Sequence, residues 1–68
     1  MARHYTTKQL IAMDGQELIK TMDKQSEIVD NINLLSDDQR TSTDDHNLRV
    51  AHINIDGISG EWARRFEG

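Results

Sequence analysis

Apolar residues recur along this chain in two runs at helical spacing, parted by a polar stretch. The first comprises Leu18, Ile19, Met22, Ile28, Val29, Ile32 and Leu35; the second comprises Leu48, Ala51, Ile55, Ile58, Trp62 and Phe66. Residues three and four apart share a face of an α-helix, so each run reads as the stripe of one amphipathic helix. The pattern predicts an all-α fold in a single small domain over 1–68: a short N-terminal helix, then two antiparallel helices forming a helical hairpin.

Local signals place the boundaries. Residues 1–5 read as an arm, and Thr6 or Thr7 can cap a short helix over 7–13. Asp14-Gly15 interrupts that helix. Asp14, with Glu17 three residues on, is a capping-box variant and predicts the N-cap of a second helix over 15–34. Gln25 falls in the gap of its 18-22-29-32 stripe and reads as a rim residue, with a register-fixing seam position as the alternative. Ser36 with Gln39 is a second box, and Asp37 and Asp38 suit the positive end of a helix dipole, so the third helix is expected over 37–66. Breaks are expected at 41–47, where Thr41-Ser42-Thr43-Asp44-Asp45 forms helix weakly, or at the glycines in 57–60.

From Leu48 onward two patterns compete. Positions 48, 51, 55, 58 and 62 form an unbroken seam at steps of three and four, while β-branched residues before Asp56-Gly57 suggest a β-hairpin. A hairpin would need about three strands or a covering helix, and no third strand is evident. The seam continues through Trp62 to Phe66 where strand alternation fails, so helix is preferred. Gly57 and Gly60 then mark a kink or a close helix approach.

Size changes this picture. A 68-residue chain buries only about 60% of its extended surface, near the limit for independent stability. There is no cysteine, and Leu, Ile, Val and Phe together number fifteen. Pooling apolar faces between copies is the remaining common remedy, so a homo-oligomer is expected. The net charge of −4 excludes a general binder of long nucleic acid, which needs a basic surface. Arg3, His4 and Lys8 near one end and Arg64 and Arg65 near the other would form a small basic area if the ends meet, suited to a small anion. No apolar run reaches signal-peptide or membrane-spanning length, so no membrane association is expected. The absence of cysteine fits a reducing cytoplasm, the expected location.

Chemistry-bearing motifs are sparse. His52-Ile53-Asn54-Ile55-Asp56-Gly57 approaches a calcium loop, but its first position is His and its twelfth is Ala63, leaving too few oxygens. His46 and His52, six apart, fall on different helix faces, so no metal site is expected. The face carrying Asp45, Arg49, His52 and Asp56 is accounted for by charge pairing at four-residue spacing. No carboxylates are marked as sharing a dry pocket; no catalytic residue, no enzyme and no cofactor is expected. Tyr5 and Lys20 are the candidate ligand-binding pair, since a tyrosine ring stacks on a purine and an ammonium neutralises a phosphate. They could meet through a folded-back short helix or across two subunits, with Thr6, Thr7 and Asn54 adding neutral hydrogen bonds. In the alternative, Tyr5 packs the arm and Lys20 is a solvated charge.

Tyr5 followed fifteen residues later by Lys20 in the pair Ile19-Lys20, with Asp38-Gln39-Arg40 after the turn, resembles a known family. These are the small phage anti-CBASS proteins with a helical-hairpin domain, which sequester cyclic oligonucleotide signals of bacterial immunity. The spacing of Ile55, Trp62, Arg64 and Phe66 is similar to that of the family's last helix. The chain departs from the pattern at Thr41, where an aromatic residue is expected, in about six extra residues around Thr41–Asp45, and in its Asp14-Gly15 break. The resemblance implies an oligomer that binds a cyclic di- or trinucleotide between subunits without catalysis, Tyr5 stacking on a base and Lys20 contacting phosphate. A different class stays open: a helical interaction protein that inhibits or bridges a host protein through an exposed apolar seam, anchored by Ile11, Met13, Trp62 and Phe66.

Overall fold

The computed structural model describes residues 3–67. The parts of the expected arm at residues 1 and 2 lie outside the described residues. Three helices follow in order: α1 over Thr7–Ala12, α2 over Gly15–Asn33 and α3 over Ser42–Phe66. Among the described residues there is no strand. The region around Asp56-Gly57 is helical, as the seam predicted. The molecule is elongated, 43 × 18 × 17 Å.

Each helix begins where a side chain can satisfy its orphan amides. Thr6 Oγ1 accepts from the Gln9 N–H at 3.2 Å, while Gln9 Oε1 accepts from the Thr6 N–H at 2.9 Å. Met13 turns extended and ends α1, and Asp14 Oδ1 accepts from the Glu17 N–H at 2.8 Å to start α2. The turn departs from expectation. Only half of the Ser36–Gln39 box forms, Gln39 Oε1 accepting from the Ser36 N–H at 3.1 Å while the Gln39 N–H donates to the Ser36 carbonyl, and it closes a single turn. α3 starts at Ser42 instead of 37, capped by a reciprocal Thr41–Asp44 box. It then runs without a break at 41–47 or 57–60. The weak helix formers explain this correction: Thr41 serves as cap, and Asp44 and Asp45 occupy the first turn, where acidic residues favour the helix dipole.

The hairpin of α2 and α3 carries a seam that is part polar. On α2 the buried residues are Leu18, Gln25 and Ile32, seven apart; Gln25 is thus a seam residue, not a rim one. On α3 they are Val50, Ala51, Asn54, Ile58 and Glu61. Of the expected seam only Ala51 and Ile58 are buried; Leu48 and Ile55 are half-buried and Trp62 is exposed. The stripe is rotated toward Asn54 and Glu61, two polar residues that a hydrophobicity pattern cannot register.

α1 folds back onto α3. Leu10, Leu18 and Ile58, one from each helix, form the central cluster, with Tyr5, Met13 and Met22 packed against it. Gly57 permits the approach. A Cβ there would stand 2.9 Å from Leu10 Cδ1, closer than packed side chains allow.

Candidate functional site

The candidate site is built on the N-terminal arm, which the rest of the chain holds in place by contacts distant in sequence. Asn54, fully buried on α3, accepts the Tyr5 N–H on Oδ1 at 2.9 Å and donates through Nδ2 to the Arg3 carbonyl. The same Nδ2 donates to Gln25 Oε1 across the helix seam at 3.0 Å. Tyr5 is half-buried, and the Arg3 guanidinium lies 5.4 Å from the centre of its ring, within cation–π range.

Beside this pair runs an open groove of about 290 Å³, lined by Arg3, Tyr5, Gln9, Ala12, Met13 and Glu17. It combines a flat aromatic ring, a permanent cation and a carboxylate. Such a set can stack on a planar base, neutralise a phosphate and accept an N–H from a base edge. The volume is at the lower end of the roughly 300–1,000 Å³ range of ligand sites, so one copy covers only part of a large ligand.

Arg65, outside the groove, fixes the end of α1, whose Ala12 lines that groove. Its Nη2 donates to the carbonyls of Leu10, Ile11 and Met13 at 3.1, 3.0 and 2.6 Å, closing the carbonyl end of α1. Its Nε bonds Glu61 Oε1 at 2.7 Å, and Arg64 bonds both oxygens of the same carboxylate at 2.7 and 3.1 Å. Hydrogen bonds from Arg64 and then Arg65 hold the Glu61 carboxyl down to about 2, and the same bond raises the pKa of Arg64. Arg64 and Arg65 thus share one carboxylate, which leaves one net positive charge at the joined ends, with Arg64 largely exposed. They are engaged with Glu61, and Arg3 is the cation of the groove.

Tyr5 and Glu17 line the groove, and Lys20, three residues beyond Glu17 on α2, is exposed and outside that groove's lining. Two residues beyond the buried Leu18, it points about 200° away from the core at 3.6 residues per turn. Asn54, considered as a ligand-contacting residue, binds the chain's own arm instead. Its position between Ala51 and Ile58 at helical spacing was the signal available for that role.

A second groove of about 260 Å³ opens on the other flank of the hairpin, walled by Leu18, Ile19, Met22, Ile58 and Trp62, with Asp23 and Ser59. Trp62 and Phe66 stack with tilted rings, centroids 4.4 Å apart, and remain 38% and 63% exposed. Ile11 is exposed as well, whereas Met13 turns toward the core cluster. Among the described residues no three His, Asp or Glu side chains converge as metal ligands. No described helix is long and apolar enough to cross a membrane.

With this geometry established, comparison with known proteins adds nothing further. The chain matches no protein-family model, no curated protein and no solved structure.

Proposed function

We propose that this chain sequesters cyclic di- or trinucleotide signals without catalysis, as the phage anti-CBASS proteins it resembles do. Tyr5 stacks on a base, Arg3 and Lys20 meet phosphate, and the pocket is completed between two copies of the chain. The observation that carries the reading is the arm: Tyr5 is anchored through its own backbone to a buried asparagine, with a guanidinium over the ring, which a base would displace on stacking, and an open groove before it. A ring fixed in advance stacks without further ordering cost, and base–aromatic stacking is worth about 1–3 kcal/mol.

Lys20 follows Glu17, which lines the base-stacking groove, by about one helical turn, and a second copy would close the groove's open side. The exposed apolar flank of Ile19, Trp62 and Phe66 supports such pairing, since a chain of this size gains stability by covering it. Calorimetric titration with cyclic dinucleotides and trinucleotides, paired with native mass spectrometry, tests the proposal. Tyr5→Ala and Lys20→Ala are each expected to weaken binding at least tenfold with assembly mass unchanged. No heat from any cyclic oligonucleotide, or a stable monomer at micromolar concentration, refutes it.

The same flank supports a second reading, an interaction protein that inhibits or bridges a host protein. Trp62 and Phe66 would be its anchors, because exposed aromatic residues dominate binding energy at protein interfaces. Native mass spectrometry separates the two. A stoichiometric foreign chain with no retained small molecule favours the second.

A further inference from the structure

Two amides face each other inside the helix seam where apolar side chains would serve. Asn54 and Gln25 are 1% and 2% exposed, and they are bonded to one another. Replacing both partners of a buried hydrogen bond by apolar groups of similar shape is close to neutral or stabilising. The pair is therefore not explained by what it gives the hairpin. It is explained by what else Asn54 holds.

The carboxamide of Asn54 takes the Arg3 carbonyl on one side and the Tyr5 N–H on the other, bracketing His4. The arm belongs to neither helix nor strand, so these are bonds its backbone would otherwise make to water. One side chain thus acts as the edge to which the arm is docked. Arg3 and Tyr5, the two residues it grips, are the two whose side chains meet in cation–π contact on the groove. The Tyr5 N–H and the Arg3 carbonyl, whose polarity is fixed, set which way the Asn54 amide faces, and Gln25 Oε1, on α2, accepts from the same Nδ2 and braces it. Were the amide flipped, its NH₂ would meet the Tyr5 N–H and its oxygen the Arg3 carbonyl, and both bonds would be lost.

We infer that Asn54, braced by Gln25, is the positioning residue for the Tyr5–Arg3 half of the ligand site. The inference rests on the sequestration reading in so far as a nucleotide is the ligand, but its first consequence, arm order, is independent of any ligand. It assigns to a buried seam residue a role in affinity, not in stability.

The test uses Asn54→Leu and the double variant Gln25→Leu/Asn54→Leu in the full chain. Amide hydrogen exchange at Tyr5 and thermal unfolding are measured without ligand. Titration follows with cyclic di-GMP, cyclic di-AMP and cyclic GMP–AMP beside the wild-type chain. The double variant is expected to melt at or above the wild-type midpoint, to exchange the Tyr5 amide at least tenfold faster, and to bind at least tenfold more weakly. A merely structural role would lower the melting point together with affinity. Unaltered Tyr5 exchange, or faster exchange with unaltered affinity, overturns the inference alone. Absence of binding by the wild-type chain overturns the sequestration reading and the ligand-positioning role with it.

Discussion

The close approach of Leu10 to α3 turns on a single missing methyl group, and the cost of supplying it can be worked out. Gly57 and Gly60 are both interior to α3, and replacing a helix-interior glycine by alanine gains about 1 kcal/mol from backbone entropy. At Gly60 the added Cβ meets nothing within 4 Å, so Gly60→Ala keeps the whole gain. That corresponds to a rise of about 4–8 °C in melting midpoint for a domain of this size. At Gly57 the added Cβ would lie 2.9 Å from Leu10 Cδ1, and Leu10 is 3% exposed, wedged against Leu18 and Ile58. Moving it costs about 1–3 kcal/mol by the experience of overpacked cores, which cancels or exceeds the propensity gain. Leu10→Ala removes the obstructing atom at a cost of about 2–5 kcal/mol, and in that background Gly57→Ala should recover its full gain. The double-mutant cycle is thus expected to show a coupling of about 1–3 kcal/mol, read by urea unfolding followed by far-UV circular dichroism at one fixed protein concentration. Gly57→Ala raising stability as much as Gly60→Ala, or a cycle additive to within about 0.5 kcal/mol, would refute the close approach.

Two further consequences concern the ion cluster. The folded-state pKa of Glu61 is held near 2, below its usual 4.5, so its contribution is full above the usual value and is lost as pH falls toward 2. Stability should decline over that window, and Glu61→Gln should flatten the decline when melting is followed from pH 5 downward. Arg65→Ala frees the three carbonyls at the end of α1 and should cost about 1–3 kcal/mol, with faster proteolysis near Met13–Gly15; Arg65→Lys should restore little, because an ammonium cannot reach the carboxylate and the carbonyls together.

The helices were legible because their signals are local. Thr6, Asp14 and the stripe from Leu18 to Ile32 each announce themselves within a turn or two, and α1 and α2 lie where those residues place them. The start of α3 was less legible because Ser36–Gln39 and Thr41–Asp44 are both competent capping boxes five residues apart. The first forms in part and the second in full, and only the second is followed by a long helix. The rotation of the α3 seam was hidden for another reason. Leu48, Ile55 and Trp62 make a better apolar repeat than the true one, which spends two of its places on Asn54 and Glu61. A reading that scores hydrophobicity must prefer the wrong face there.

Those two polar residues, with their neighbours, explain how α3 organises everything before it. Asn54, Gly57, Glu61 and Arg65 follow one another at steps of three and four, so they form one strip along the helix. Each meets the N-terminal segment in turn or braces the residue that does. Asn54 takes the backbone of Arg3 and Tyr5, Gly57 admits Leu10, and Glu61 aims Arg65 at the carbonyls ending α1. The strip is a track for a partner 47 to 55 residues earlier in the chain, and no local pattern can announce a partner so distant. It also has a cost in stability. Seam positions given to an amide, a glycine and a carboxylate are not available for the apolar burial that a 68-residue chain most needs. The chain thus spends core on fixing its arm and leaves Trp62 and Phe66 uncovered.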